Sequence, residues 1–143
     1  MRFITASMNI FIFFVIVSFT MDNLLFQCNF PSLYSFINNF IHHIISTYIW
    51  FGSFIFGKYF YHLLFLCIVL LLQYFFNWDC PVTLEYNKQC GFSKKSGHKD
   101  IFYFINKPFF NHLPYYSFYI LLILYDVYNL LLHNKIKLIF KEY

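Results

Sequence analysis

Apolar positions in this chain come in long unbroken stretches, with none of the narrow stripes that mark the helices and strands of a water-soluble fold. From Tyr59 to Trp78, YFYHLLFLCIVLLLQYFFNW, twenty residues pass without a formal charge. At 1.5 Å per residue a helix of that length covers about 30 Å, the thickness of a bilayer's hydrocarbon core. Nineteen uncharged residues from Phe3 to Met21 lie between Arg2 and Asp22, the layout of a signal peptide or a first transmembrane helix. The end of that run, Val17-Ser18-Phe19-Thr20-Met21, has no A-x-A pattern, which favours an uncleaved anchor. The pattern predicts an all-α integral membrane protein with spans at about 3–22, 36–57, 59–78 and 115–133. It has three transmembrane helices if the first is removed and four if it stays.

The second predicted span is uncharged with neutral histidines, yet it carries Asn38, Asn39, His42, His43, Ser46, Thr47 and Ser53. It is a helix with a wet side. Only Gly57 and Lys58 separate it from the third span, so helices two and three are expected to form a tight antiparallel hairpin. One long tilted helix is the alternative. Residues 79–100 hold Pro81, Gly91, Gly97 and several charges and read as the main extramembrane loop. The segment 101–113, aromatic but broken by Lys107, Pro108, Asn111 and His112, suits the headgroup region. The whole chain, 1–143, is a single membrane domain on this reading.

Composition sharpens the picture. Only 11% of the residues are charged, 60% are hydrophobic and the mean hydropathy is +0.58, too little polar surface to solvate a compact domain of 143 residues. The 23 Phe and 13 Tyr stand beside one Ala and one Arg, the residue set of A/T-rich codons, so the aromatics are not read as a stacking surface. A net charge of +4, dispersed along the chain, excludes nucleic acid as the expected partner. In the four-span topology five basic residues fall on each side, so the positive-inside rule does not choose an orientation. The weight of Arg2, Lys58, Lys135, Lys137 and Lys141 near span ends leans toward termini on the cytoplasmic or matrix side.

In a hairpin turning at Gly57 and Lys58, residues at equal depth have numbers summing to about 115. This pairs Asn38 with Asn77, His42 with Gln73 and Ser53 with His62, a polar ladder expected to join the two helices by interhelical hydrogen bonds of about 0.6–2 kcal/mol each. Haem ligation by His42 and His62 is excluded, because their depths would differ by about 16 Å. No cofactor is expected. Asp126 lies within the last span, in YDVYNLLLH, where the expectation is a neutral, protonated Asp bonded to a Tyr or Asn of a neighbouring helix; a proton relay with His133 on the same helix face is the alternative.

Cys80 and Cys90 share the large loop, and a bridge between them is feasible if that loop faces an oxidising space. A zinc site from Cys80, Cys90, His98 and either Asp100 or His112 lacks the C-x-x-C spacing that specifies such sites, and no metal is predicted. Nucleotide-binding, serine-hydrolase and zincin motifs are absent from the sequence.

His62, Gln73, Trp78, Cys80, Pro81, Thr83 and Glu85 together resemble a family of small bacterial multipass membrane proteins of unknown function. Its members carry a histidine early in a span, a polar residue eleven positions later, then W-x-C-P-L-T and a nearby Glu at the helix exit. Here the motif stands as W-D-C-P-V-T-L-E, with one extra residue between Gln73 and Cys80 and Glu85 one position early. The likeness spans about a third of the chain and implies a membrane fold without an activity. Physically, Trp78 would anchor at the headgroups, Pro81 would stop the helix, and Thr83 or Asp79 would satisfy freed backbone groups.

The leading expectation is a non-catalytic subunit or scaffold of a larger membrane complex, whose partners are the bilayer and other membrane subunits. A respiratory-chain or ATP-synthase accessory subunit of the mitochondrial inner membrane is one version. The alternatives are a proton or ion relay through Asp126, and a membrane thiol or metal protein using Cys80, Cys90 and His98.

Overall fold

The computed structural model describes residues 2–25, 28–77, 79–92, 100, 102, 104 and 117–139, with side chains described from residue 4 and up to residue 133. Five helices and no strand occur among them: α1 Arg2–Leu25, α2 Leu33–Phe56, α3 Tyr59–Phe75, α4 Pro81–Cys90 and α5 Ser117–Ile139. Among the described residues only Ile4–Leu25 is long and apolar enough to cross a membrane; Tyr59–Phe75 and Ser117–His133 are apolar but shorter.

Local chemistry sets the helix ends. Ser32 and Ser35 form a reciprocal capping box that starts α2 three residues before the predicted span. Gly57, at φ +60, closes α2 in the left-handed conformation that a side chain would disfavour, and the chain turns there into α3. The break at Gly57 and Lys58 is therefore real. α3 ends at Phe75, short of the predicted Trp78, and Asn77 takes a positive φ of 55, a conformation Asn tolerates. Trp78 itself lies outside the described residues.

One expectation needs correction here. The segment 79–100 contains a helix, α4, that starts with Pro81 at its first turn, where a missing N–H costs nothing. Its buried residues, Tyr86 and Cys90, are four apart and so share one face. Helices α2 and α3, for their part, are not each other's main partners. α1 packs along α2, α4 lies against α2, and α3 packs chiefly on α5. Of the segment 101–113 only Phe102, buried against Trp50, and Phe104 are described.

The interior is polar and the exterior apolar. Thirteen polar or charged residues are buried against eight hydrophobic ones among the described residues, while Phe13, Leu24, Phe60, Leu71, Phe75 and Leu131 are all more than half exposed. That inverts the arrangement water imposes on a globule. The polar groups form two layers. At one end sit Asp22, Asn39, His42, His43, Gln73 and Asp100; at the other, His62 and Asp126. Between them Ile49, Leu66, Tyr119 and Leu122 make an apolar cluster. His62 and Gln73 are eleven residues apart on α3, which separates the layers by about 16 Å.

Candidate functional site

Each buried histidine is paired with an aspartate from a distant part of the chain. At the hairpin end, His62 Nδ1 lies 2.5 Å from Asp126 Oδ2, and Nε2 lies 3.0 Å from the Tyr48 carbonyl and 3.2 Å from that of Ile49. Both ring nitrogens have hydrogen-bonding partners, the carboxyl on one side and backbone carbonyls on the other. Gly52 makes the approach possible: a Cβ there would stand 2.9 Å from the His62 ring. In the other layer, His43 Nδ1 lies 3.1 Å from Ser18 Oγ. The Ser18 hydroxyl donates to the Val15 carbonyl, so the shared proton comes from His43. His43 Nε2 stands 3.2 Å from Asp22 Oδ2, close enough for an ion pair but not aligned for a hydrogen bond. Asn39 donates to the same Asp22 oxygen.

The third pair differs in its surroundings. His42 Nε2 is 2.6 Å from Asp100 Oδ2, and its Nδ1 is 3.1 Å from Thr83 Oγ1 in the first turn of α4. Cys80, the residue before α4, makes no side-chain capping hydrogen bond, and its thiol feels His42 and Thr83 electrostatically. Burial pushes the Cys80 thiol up, but the hydrogen bond to His42, its charge and the two Thr83 contacts outweigh burial and bring it down to about 7. Cys80 is part exposed, so the sulfur is accessible. Next to this cluster, Asn38 donates to Gln89 of α4. Three residues after Thr83 on α4, burial and the Asp22 charge push the Tyr86 phenol up to about 12.

Of the polar ladder, His42, Ser53, His62 and Gln73 are buried, Asn38 is part-buried and Asn77 is exposed, and the expected pairs do not form. Asn38 pairs with Gln89 in place of Asn77, which is exposed; His42 pairs with Asp100 and Thr83 in place of Gln73; Gln73 donates to the Tyr119 hydroxyl of α5. Ser53 is buried near the level of His62, but the histidine turns to Asp126 and to carbonyls one turn further back. The reason is packing: α4 and α5 occupy the space on α2 and α3 that the hairpin was expected to fill. Asp126 is likewise not aimed at His133, which is exposed. The apolar cluster around Leu66 separates Asp126 from the other polar layer, so these pairs do not form one relay across the bundle.

The cysteine pairing is also corrected. Cys90 is bridged to Cys28, not to Cys80, because the face of α4 that buries Cys90 turns toward the connector between α1 and α2. A bridged Cys90 cannot join Cys80 in a metal site, and His98 and His112 lie outside the described residues. Of the motif residues, Pro81 starts α4, Thr83 contacts His42, and Glu85 accepts from Gln89. Sequence reasoning missed the His42, Cys80 and Asp100 cluster. Only the C-P-x-T spacing, which sets a thiol at a helix start, hinted at it.

No family model, curated protein sequence or solved structure matches this chain.

Proposed function

We propose that the chain is a multipass integral membrane protein that carries an activated thiol, Cys80, at one end of its helical bundle. One observation carries the chemistry: Cys80 starts the helix whose Thr83 hydroxyl lies 3.1 Å from His42, and that histidine, held 2.6 Å from Asp100, draws the thiol down to about 7. That order of thiol, imidazole and carboxylate is how a side chain is made nucleophilic at neutral pH. The membrane setting is supported by the inverted burial. In water the exposed Phe, Leu and Ile faces would cost about 25 cal/mol for each Å², whereas hydrocarbon solvates them and leaves the buried pairs as interhelical contacts.

Alkylation kinetics test the reading. Cys80 is expected to react with iodoacetamide several-fold faster than Cys67 at pH 7.5, and His42→Gln is expected to remove that advantage. Equal rates for the two thiols would exclude an activated Cys80.

A second reading, a small subunit packed in a larger membrane complex, is favoured by an open apolar cleft of about 300 Å³ lined by Met8, Phe11, Ile44, Ile45, Tyr48 and Phe65. Native-size analysis after gentle detergent extraction tests it: a particle no larger than one 17.5 kDa chain with its detergent belt would count against it.

A further inference from the structure

Four aromatic rings from three helices line the open cleft between α1, α2 and α3: Phe11 of α1, Tyr48 and Phe56 of α2, and Phe65 of α3. They pack on one another. The ring centroids of Phe11 and Phe56 are 5.5 Å apart, those of Tyr48 and Phe56 6.1 Å, and those of Tyr48 and Phe65 4.9 Å. Met8 and Ile44 complete the lining and are 44% and 37% exposed, and no polar surface faces the space. Water, which needs two to four polar partners, has none here. The occupant must be apolar.

Width decides what kind of apolar group enters. On α2 the lining runs from Ile44 to Phe56, about 18 Å of helix, and a volume of about 300 Å³ spread over half to all of that length is about 5–7 Å across. A helix with its side chains measures about 10–12 Å and does not fit. A single hydrocarbon chain, whose carbons pack against neighbours at about 4 Å, does. At about 30 Å³ for a water-sized group, the cleft holds about ten methylenes. Position agrees with width. Phe56 lies at the hairpin end beside the turn at Gly57, and Ile44 lies near the middle of Leu33–Phe56, so the cleft runs from one end of the bundle to about half its depth. That is the reach of one leaflet, whose hydrocarbon is about 15 Å thick. Lys58, two residues beyond Phe56, is exposed at this end, and the described carboxyl group there, Asp126, is buried against His62. The exposed charge is thus positive, which suits a lipid phosphate.

We propose that this cleft binds one acyl chain of an anionic phospholipid from the leaflet on the hairpin side, with Lys58 as the cation for its phosphate. The proposal rests on the membrane reading above and is independent of the reactivity of Cys80. A neighbouring subunit would lie over the cleft; its width governs what lies in it.

The test reconstitutes the full-length chain in phosphatidylcholine vesicles with a minor fraction of phosphatidylglycerol carrying a diazirine halfway along one acyl chain. After irradiation, peptide mass spectrometry locates the label. Met8, Ile44 and Phe65 are expected to be labelled several-fold more than Leu121 and Leu124, exposed positions of α5. Phosphatidylcholine with the same diazirine chain is expected to label the cleft several-fold less, and Lys58→Glu to remove that preference. Ile44→Trp, which fills the cleft from α2, and Met8→Phe, which fills it from α1, are each expected to lower the remaining cleft label to the Leu124 level. The Cys28 to Cys90 peptide pair reports that these variants keep the fold. Equal labelling of the cleft and α5, equal labelling by the two lipids, or a cleft label that neither filling variant lowers overturns the proposal. A cleft that escapes the label while α5 takes it is covered by protein, and that also overturns it, with the membrane reading intact. If neither the cleft nor α5 is labelled, the membrane reading fails as well.

Discussion

His62 and Asp126 stand 64 residues apart in the chain and 2.5 Å apart in the fold, at 1% and 0% side-chain exposure. Buried in that position, the carboxyl and the imidazole satisfy each other's hydrogen-bonding atoms, and two carbonyls face the second ring nitrogen. The pair joins α3 to α5 at the hairpin end, while the Gln73 to Tyr119 hydrogen bond joins them at the other.

Removing one member should therefore cost more than removing both. Asp126→Leu or His62→Leu alone is expected to lower stability by about 3–5 kcal/mol, since each leaves a buried polar group unpaired, and the double variant by markedly less than the sum. Thermal unfolding of the four proteins in one detergent measures this, and additive effects would argue against a coupled pair.

Gly52 and Gly57 should respond differently to substitution. At Gly52 a Cβ meets the rings of His62 and Tyr48 at 2.9 Å, so Gly52→Val is expected to push α2 from α3 and cost about 1–3 kcal/mol. At Gly57 nothing lies within 4 Å, and Gly57→Ala should cost only the left-handed conformation, about 1 kcal/mol. Unfolding midpoints of the two variants decide it.

Cys28 and Cys90 close a separation of 62 residues and hold the end of α4 beside the α1–α2 connector. Reduction, or Cys28→Ser, is expected to lower stability by about 2–4 kcal/mol. Peptide mapping without reductant should find the Cys28 to Cys90 peptide pair, with Cys67 and Cys80 alkylated. A Cys80 to Cys90 linkage would be incompatible with the fold.

Cys80 should titrate near neutrality. Its thiol is drawn down to about 7, so the reactive thiolate is half formed there, and the alkylation rate should climb from pH 6 to 8 and flatten above. Thr83→Val removes one of the contacts that lower the thiol and should move the curve to higher pH. Rates measured between pH 5.5 and 9.5 for the wild type and the variant check both the midpoint and its direction.

Signal cleavage after α1 is expected not to occur. Ser18 and Asp22 of α1 are the partners of His43, and Asp22 also accepts from Asn39. Loss of α1 would leave those buried groups of α2 without them. Intact mass of the protein purified from membranes should show the residues of α1 still attached.

Much of the architecture was legible along the chain because helices depend on neighbours in sequence. The uncharged runs, the break at Gly57 and Lys58 and the wet side of α2 all follow from residue type and spacing. α4 was harder to read: only two of its residues are buried, so no long apolar run announced it, and Pro81 looked like an end when it was a beginning. The inward direction of His42, Ser53, His62 and Gln73 was also inherent in helical periodicity, whereas Asn39, not the expected Asn38, is the buried asparagine of α2.

Which residue each of these meets was decided by the tertiary structure alone. A helix states which side is polar, but not which of several neighbours will cover it, and each buried pair here joins elements 17 to 64 residues apart. Packing of α4 on α2 and of α5 on α3 is what brings Thr83, Cys80 and Asp100 to His42, Asp126 to His62, and Cys90 to Cys28. Sequence alone therefore determined a helical chain, hydrophobic outside and polar within. The cluster around His42 exists only where distant segments meet, because hydrogen bonds need atoms within reach of one another and no local pattern sets that distance.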